Sequence, residues 1–281
     1  GKTAKGMTKY RCKSCKKGFT EVDNKSKTTK HQTKHHKNRM IFKLLMSQVS
    51  LRGIIDATEI GSSTIYAKIN FFYDQCRKFS QAKEKKIKST NFKSLKISSD
   101  HQFYQTNWRA KGDDEFNVQL YNLSSTDNDS GYVFVSSLNF DPQVISEEIN
   151  KHALAIGDLN KCIPHRHYAR YILNDDYGND KDLQKESPIK ARFRNKPTKG
   201  MQIYKTYTMF AHFLHLRELL GKTKYLTLYN DYDPALKSVI APIFANRIKN
   251  NTLEAYALGF SYHAKGESRK KKELKAKQIK E

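Results

Sequence analysis

No apolar run in this chain of 281 residues approaches the roughly 20 residues that a membrane-spanning helix needs. The opening residues do not carry the pattern of a secretory signal. Cysteine is scarce. Of the four, Cys12 and Cys15 lie close together while Cys76 and Cys162 stand alone. That distribution excludes a secreted disulfide framework and fits a reducing cytoplasm with one metal-binding pair. Acids are also in deficit, with 28 Asp and Glu against 52 Lys and Arg, for a net charge of +24. So large a surplus repels itself in the free protein, and a polyanion would relieve it. Nucleic acid is the first candidate, because each neutralised phosphate releases counterions. The 11% aromatic content argues against wholesale disorder.

The charge is spread unevenly. Residues 1–40 hold 13 Lys or Arg and two acids, with few aliphatic side chains, and cannot build a core alone. Residues 41–76 show helical apolar spacing that breaks near Gly61. Residues 77–94 are basic again and read as a linker or a charged helix extension. From about residue 95 the pattern is strand, hairpin, helix, polar insertion at about 157–200, helix, strand, helix, strand, helix. The first helix of this series is expected to open on Asp141-Pro142, and GESRKKKELKAKQIKE to form the last. A hairpin-rich start followed by alternating elements indicates an α/β domain with a mixed sheet over 95–281.

Cys12-Lys-Ser-Cys15 has the spacing with which two thiolates grip one tetrahedral Zn²⁺ in a tight knuckle. Two further ligands are needed. One reading takes His31 and His35, with three residues between them, as in a finger. The favoured reading makes YRCKSCKKGFT the second half of a four-cysteine ribbon whose first pair lies upstream, since the chain opens on Gly1 already inside a motif. A third reading is a pair of reduced thiols without metal. After this segment, Leu51, Ile54 and Ile55 share one face, Glu59–Ser62 form a turn that Ser62 or Ser63 can cap, and Ile65 and Ile69 face back. This is the pattern of a helix-turn-helix or of an ordinary helical hairpin. In the first case the second helix enters the major groove of double-stranded DNA and exposes Ser63, Thr64, Tyr66 and Lys68 to phosphates and bases.

Three acids occupy positions suited to two-metal chemistry. Asp100 ends the strand LKISSD, Asp231 ends YLTLYND, and Glu267 opens the final expected helix. Carboxylates at neighbouring strand ends and on a nearby helix can hold two Mg²⁺ or Mn²⁺ ions for in-line displacement at phosphorus. Glu254 and Glu273 compete with Glu267 for the third place. Asp233 precedes Pro234 and reads as a helix cap. Asp113, Asp114, Asp127, Asp129, Asp175 and Asp176 read as solvated turns.

Taken together, these segments resemble the transposases of simple bacterial insertion sequences. GKTAKGMTKYRCKSCKKGF looks like their N-terminal zinc ribbon and RGIIDATEIGSSTIYAKI like their helix-turn-helix. Asp100, Asp231 and a later Glu are similar to the acidic triad of the DDE superfamily. The resemblance implies a ribonuclease-H-like catalytic domain, catalytic Mg²⁺ or Mn²⁺, structural Zn²⁺, terminal inverted repeats as DNA partner, a homodimer or larger assembly on that DNA, and a nucleoid-associated cytoplasmic location. It also implies residues beyond both ends, since an upstream cysteine pair is expected and the chain runs only 14 residues past Glu267. The competing reading is a DNA-binding protein without catalysis, a regulator or a decayed transposase.

Overall fold

The computed structural model describes residues 1–2, 8–20, 29, 32–109, 115–176, 199–261 and 273–278. The chain divides into two compact units, 1–83 and 84–281. Among the described residues no helix is long and apolar enough to cross a membrane.

The first unit opens on a hairpin of β1 (Lys9–Arg11) and β2 (Gly18–Thr20), paired antiparallel with Tyr10 opposite Phe19. Three helices follow: α1 (Asn38–Met46), α2 (Leu51–Thr58) and the start of α3 (Ser62–Ser89). Their spacing places Ile41, Ile54, Ile60 and Ile65 in one buried cluster, with Leu44, Val49, Ile69 and Phe72 around it. Ser50 caps α2 by accepting from the Gly53 amide at 3.2 Å. Glu59 ends that helix in the left-handed region at φ 53°. The Lys37 ammonium donates to the Thr58 carbonyl and the Lys34 ammonium to that of Glu59, so two cations satisfy the negative end of α2. The expected cap by Ser62 or Ser63 is not made in this way. The Gly61 carbonyl already accepts from the Ile65 amide, which places both serines inside the first turn. The basic stretch after residue 76 continues α3 as far as Ser89. QAKEKKIK consists of strong helix formers, and Arg77 and Lys83 lie over the rings of Tyr73 and Phe79 one turn earlier.

The second unit holds a six-stranded sheet. Its members are β3 (Ser94–Arg109), β4 (Glu115–Asp127), β5 (Val133–Leu138), β8 (Tyr225–Asp231), β9 (Leu253–Ser261) and β10 (Glu273–Gln278). The order is β10-β9-β8-β3-β4-β5. β3, β8 and β9 run parallel, and the other pairings are antiparallel. This is the expected α/β class with a mixed sheet. Helices α5 (Lys205–Leu219) and α6 (Pro234–Lys249) bring Phe213, Leu216, Val239 and Phe244 into one core with Ile97, Leu123, Leu226 and Leu228 of the strands. Asp233 caps α6 through the Ala235 amide at 2.8 Å, as its place before Pro234 predicts.

A smaller sheet pairs β6 (Phe140–Ile145) with β7 (Lys199–Gln202), with α4 (Ser146–Ala155) beside it. The helix expected from Asp141 therefore starts five residues later, because 140–145 are held as strand by pairing with β7. The described part of the polar insertion is packed rather than loose. Its Tyr171 and Leu173 share one core with Ala153 of α4 and Met201 of β7. Buried Asp158 accepts from the amides of His167 and Tyr168, both at 2.8 Å. Two acids read as solvated turns are buried. Asp127 accepts from the Ser130 amide and hydroxyl, and Asp176 is ion-paired with Arg166. Asp113 and Asp114 lie outside the described residues. The charged C-terminal helix is also corrected, since 273–278 pair antiparallel with the open edge of β9, and an edge of unpaired backbone groups outweighs weak local propensity.

Candidate metal centre

Parallel pairing of β3 with β8 sets Ser99 opposite Asn230. One residue further along each strand stand Asp100 and Asp231. Ligand atoms of Asp100, His101 and Asp231 all lie within 4.8 Å of one another. The His101 amide donates to Asp100 Oδ1 at 2.7 Å, and its Nδ1 is 3.7 Å from Asp231 Oδ2. Partial burial raises the Asp231 carboxyl above the ordinary carboxylate range, and so do the hydrogen bond and charge of Asp100; His101 pulls the other way and Asp233 adds to the rise. Two like charges held this close either share a proton or take a cation between them. Two carboxylates and an imidazole are a donor set that fits one divalent cation.

The surroundings fix the imidazole. It stacks on Tyr121, with centroids 5.6 Å apart and planes at 29°, and meets the edge of Phe103 at 5.4 Å. The Lys205 ammonium lies 4.6 Å over the Phe103 ring and 5.6 Å over that of Tyr121. Burial pushes the Tyr121 hydroxyl well above its usual range, and the charges of Asp233, Asp100 and Asp231 push the same way. Beneath β3 a buried chain of hydrogen bonds crosses the core. Ser99 Oγ is 2.6 Å from Ser125 Oγ, which is 2.7 Å from His212 Nε2, and His212 Nδ1 is 3.0 Å from Ser137 Oγ.

Asp100 and Asp231 are thus brought together, but Asp100 does not end its strand as expected, since pairing with β4 carries β3 on to Arg109. Glu267 lies outside the described residues. Glu254 sits on β9, takes a hydrogen bond from the Tyr256 hydroxyl at 3.1 Å and is not in the cluster. Glu273 begins β10. Sequence reasoning missed His101. Strand alternation assigns it to the face opposite Asp100, and its adjacency to that acid was the one available signal. Tyr121 and Lys205 left no local signal, since they reach the site only through strand pairing and the entry of α5.

In the first unit, Cys12 and Cys15 occupy the turn of the β1–β2 hairpin. The Cys12 amide donates to the Lys17 carbonyl and the Lys16 amide to that of Cys12, with Lys16 at φ 58°. Hydrogen bonds from the Cys15 backbone and thiol, and from Ser14, hold the Cys12 thiol below its usual range. Among the described residues no third metal-ligating side chain joins this pair. His35 is exposed in a short 3₁₀ turn, and His31 lies outside the described residues. On α3, Ser63 is exposed, Thr64 half-buried and Tyr66 56% exposed. Lys68 corrects the expectation of a free cation. It is 3% exposed, and its ammonium donates to the Thr33 carbonyl at 3.0 Å and to Asn38 Oδ1 at 2.6 Å. Burial lowers its pKa from the ordinary lysine value. An apolar stem reaching back along the helix allows this inward course, which spacing alone did not show.

No family model, curated protein or solved structure matches this chain.

Proposed function

We propose that the chain is a DDE-type transposase, which binds element-end DNA through its basic N-terminal unit and catalyses metal-dependent strand cleavage and transfer. The observation that carries this reading is the convergence of Asp100 and Asp231. They are remote in sequence and come within ligand distance on neighbouring parallel strands. The strand order, with an antiparallel β3-β4-β5 meander joined through β3 to parallel β8 and β9, is compatible with a ribonuclease-H-like sheet. The charge surplus supports a polyanionic partner. So does the α2–turn–α3 arrangement, whose second helix presents Ser63 and Tyr66 outward. The cysteine hairpin fits half of a zinc ribbon, and assembly into a dimer or larger complex on DNA belongs to the same proposal.

A divalent cation at this centre would supply Lewis-acid stabilisation of charge at phosphorus and an activated oxygen nucleophile. The chain's own contribution is to hold Asp100 and Asp231 in one place on two paired strands and to tie Asp100 to the backbone through the His101 amide. Ser63, Thr64 and Tyr66 are the candidate contacts to duplex DNA.

The test incubates the purified chain with linear duplexes bearing the inverted repeats that flank its gene, in Mg²⁺ or Mn²⁺. Metal-dependent nicking or strand transfer is expected, with loss in Asp100→Ala and in Asp231→Ala. Full activity in both variants overturns the catalytic assignment. Salt-sensitive duplex binding without cleavage supports the non-catalytic DNA-binding reading instead.

A further inference from the structure

We infer that His101 supplies an imidazole ligand to a cation held by Asp100 and Asp231, making a mixed nitrogen–oxygen site that binds Mn²⁺ more tightly than Mg²⁺ and also accepts Zn²⁺. The inference rests on the acid pair as a cation site and not on strand transfer. His101 Nδ1 is buried and makes no hydrogen bond, while Asp231 Oδ2 stands 3.7 Å away. Two ligands on one cation at about 2.1 Å each stand about 3 to 4 Å apart, so this spacing is that of a shared ion. The ring is held between Tyr121 and Phe103, which fixes its plane without using its nitrogen.

A second observation points the same way. Asn230 is 2% exposed, and both polar atoms of its side chain lack a hydrogen bond; the buried Tyr121 hydroxyl lacks one too. Asn230 directly precedes Asp231, and Tyr121 feels the charges of Asp100, Asp231 and Asp233. Buried polar groups left unbonded are uncommon and mark places where water or an ion belongs. Side chains around a metal commonly hydrogen-bond its ligands or its bound water. Imidazole suits Zn²⁺ and is accepted by Mn²⁺ beside its oxygen ligands, whereas Mg²⁺ holds to carboxylate and water. One imidazole beside two carboxylates therefore moves preference away from Mg²⁺ while keeping Mn²⁺.

The experiment titrates the full chain with Mn²⁺ by electron paramagnetic resonance, with Mg²⁺ and Zn²⁺ as competitors. Mn²⁺ is expected to bind at least about tenfold more tightly than Mg²⁺, and Zn²⁺ to displace it. Electron spin-echo modulation of bound Mn²⁺ should show one coupled ¹⁴N nucleus. His101→Phe keeps an aromatic ring on Tyr121, so a thermal melt checks that the variant is folded. It should lose the nitrogen coupling and about tenfold or more in Mn²⁺ affinity. Absence of Mn²⁺ binding, absence of nitrogen coupling, or unchanged coupling in folded His101→Phe each overturns the inference. Nitrogen coupling without DNA cleavage leaves it standing and overturns strand transfer. Cleavage without nitrogen coupling does the reverse.

Discussion

The carboxylates of Asp100 and Asp231 share one small volume where the parallel pairing of β3 with β8 stops, within β3 and at the end of β8. Among the described residues His101 is the ligand partner that offsets the repulsion. The folded state therefore holds the Asp231 proton more tightly than the unfolded chain does. A carboxyl raised in this way favours the fold below the ordinary value of 3.8, and that advantage is lost as pH rises through the raised value. At neutral pH without metal, Asp231→Asn should melt at a higher temperature than the parent chain. Adding Mn²⁺ should raise the parent's melting temperature and leave that of the variant nearly unchanged. Calorimetry with and without the cation checks both. An Asp231→Asn variant that melts lower than the parent without metal would show that the acid pair is not under repulsion.

His212 lies in the core with both ring nitrogens engaged by Ser125 and Ser137. Burial and the nearby charge of His215 push its pKa down to about 3. In the unfolded chain the imidazole titrates near 6.5. Between those values the unfolded state binds a proton that the folded state refuses, so stability is lost as pH falls below about 6.5. The slope from this group approaches about 1.4 kcal/mol per pH unit. Urea denaturation from pH 7 to pH 4.5 should show that loss, and His212→Gln should flatten it. An equal slope in the variant would place the proton uptake elsewhere.

Apart from β10, the strands of the sheet were legible, and so was α6, because their apolar spacing and caps are local. KYLTLYND and the Asp233-Pro234 start carry their own instructions. Asp231 was legible as a strand-end acid; Asp100 was read as one too, but it lies within β3, because pairing with β4 carries that strand on to Arg109. His101 and Lys68 were not. Both depend on the direction of a side chain, one toward the rings of Tyr121 and Phe103 and the other toward Asn38, and spacing in sequence does not encode direction. The strand at 273–278 was hidden because its charged composition carries no local strand signal, and it is held by pairing with β9.

Arg166 Nη1 donates to both carboxylate oxygens of Asp176, at 2.7 and 2.9 Å, and Asp176 also accepts from the Leu173 amide. Both side chains are nine-tenths buried. Removing one partner leaves the other charged and desolvated, at a cost of about 3–5 kcal/mol. Asp176→Asn is therefore expected to lower the denaturation midpoint strongly. Glu218→Gln breaks the exposed pair with Lys88 and should change little, because water and salt already screen it. Comparable shifts in the two variants would remove the special weight given to the Arg166 pair.

Lys68 separates folding of the basic unit from the DNA contact proposed for it. Its ammonium is spent on the Thr33 carbonyl and on Asn38, so it does not reach a phosphate. Lys68→Met keeps the apolar stem but leaves those two acceptors unpaired. The expected cost is about 1–3 kcal/mol of stability, read by thermal melting of the chain. On duplex DNA, a lysine that contacts phosphate lowers the slope of log affinity against log salt by about 1 when it is removed. Lys68→Met should leave that slope unchanged under conditions where the variant is folded. A slope reduced by about 1 would show that the side chain leaves Asn38 for the phosphate backbone when DNA binds.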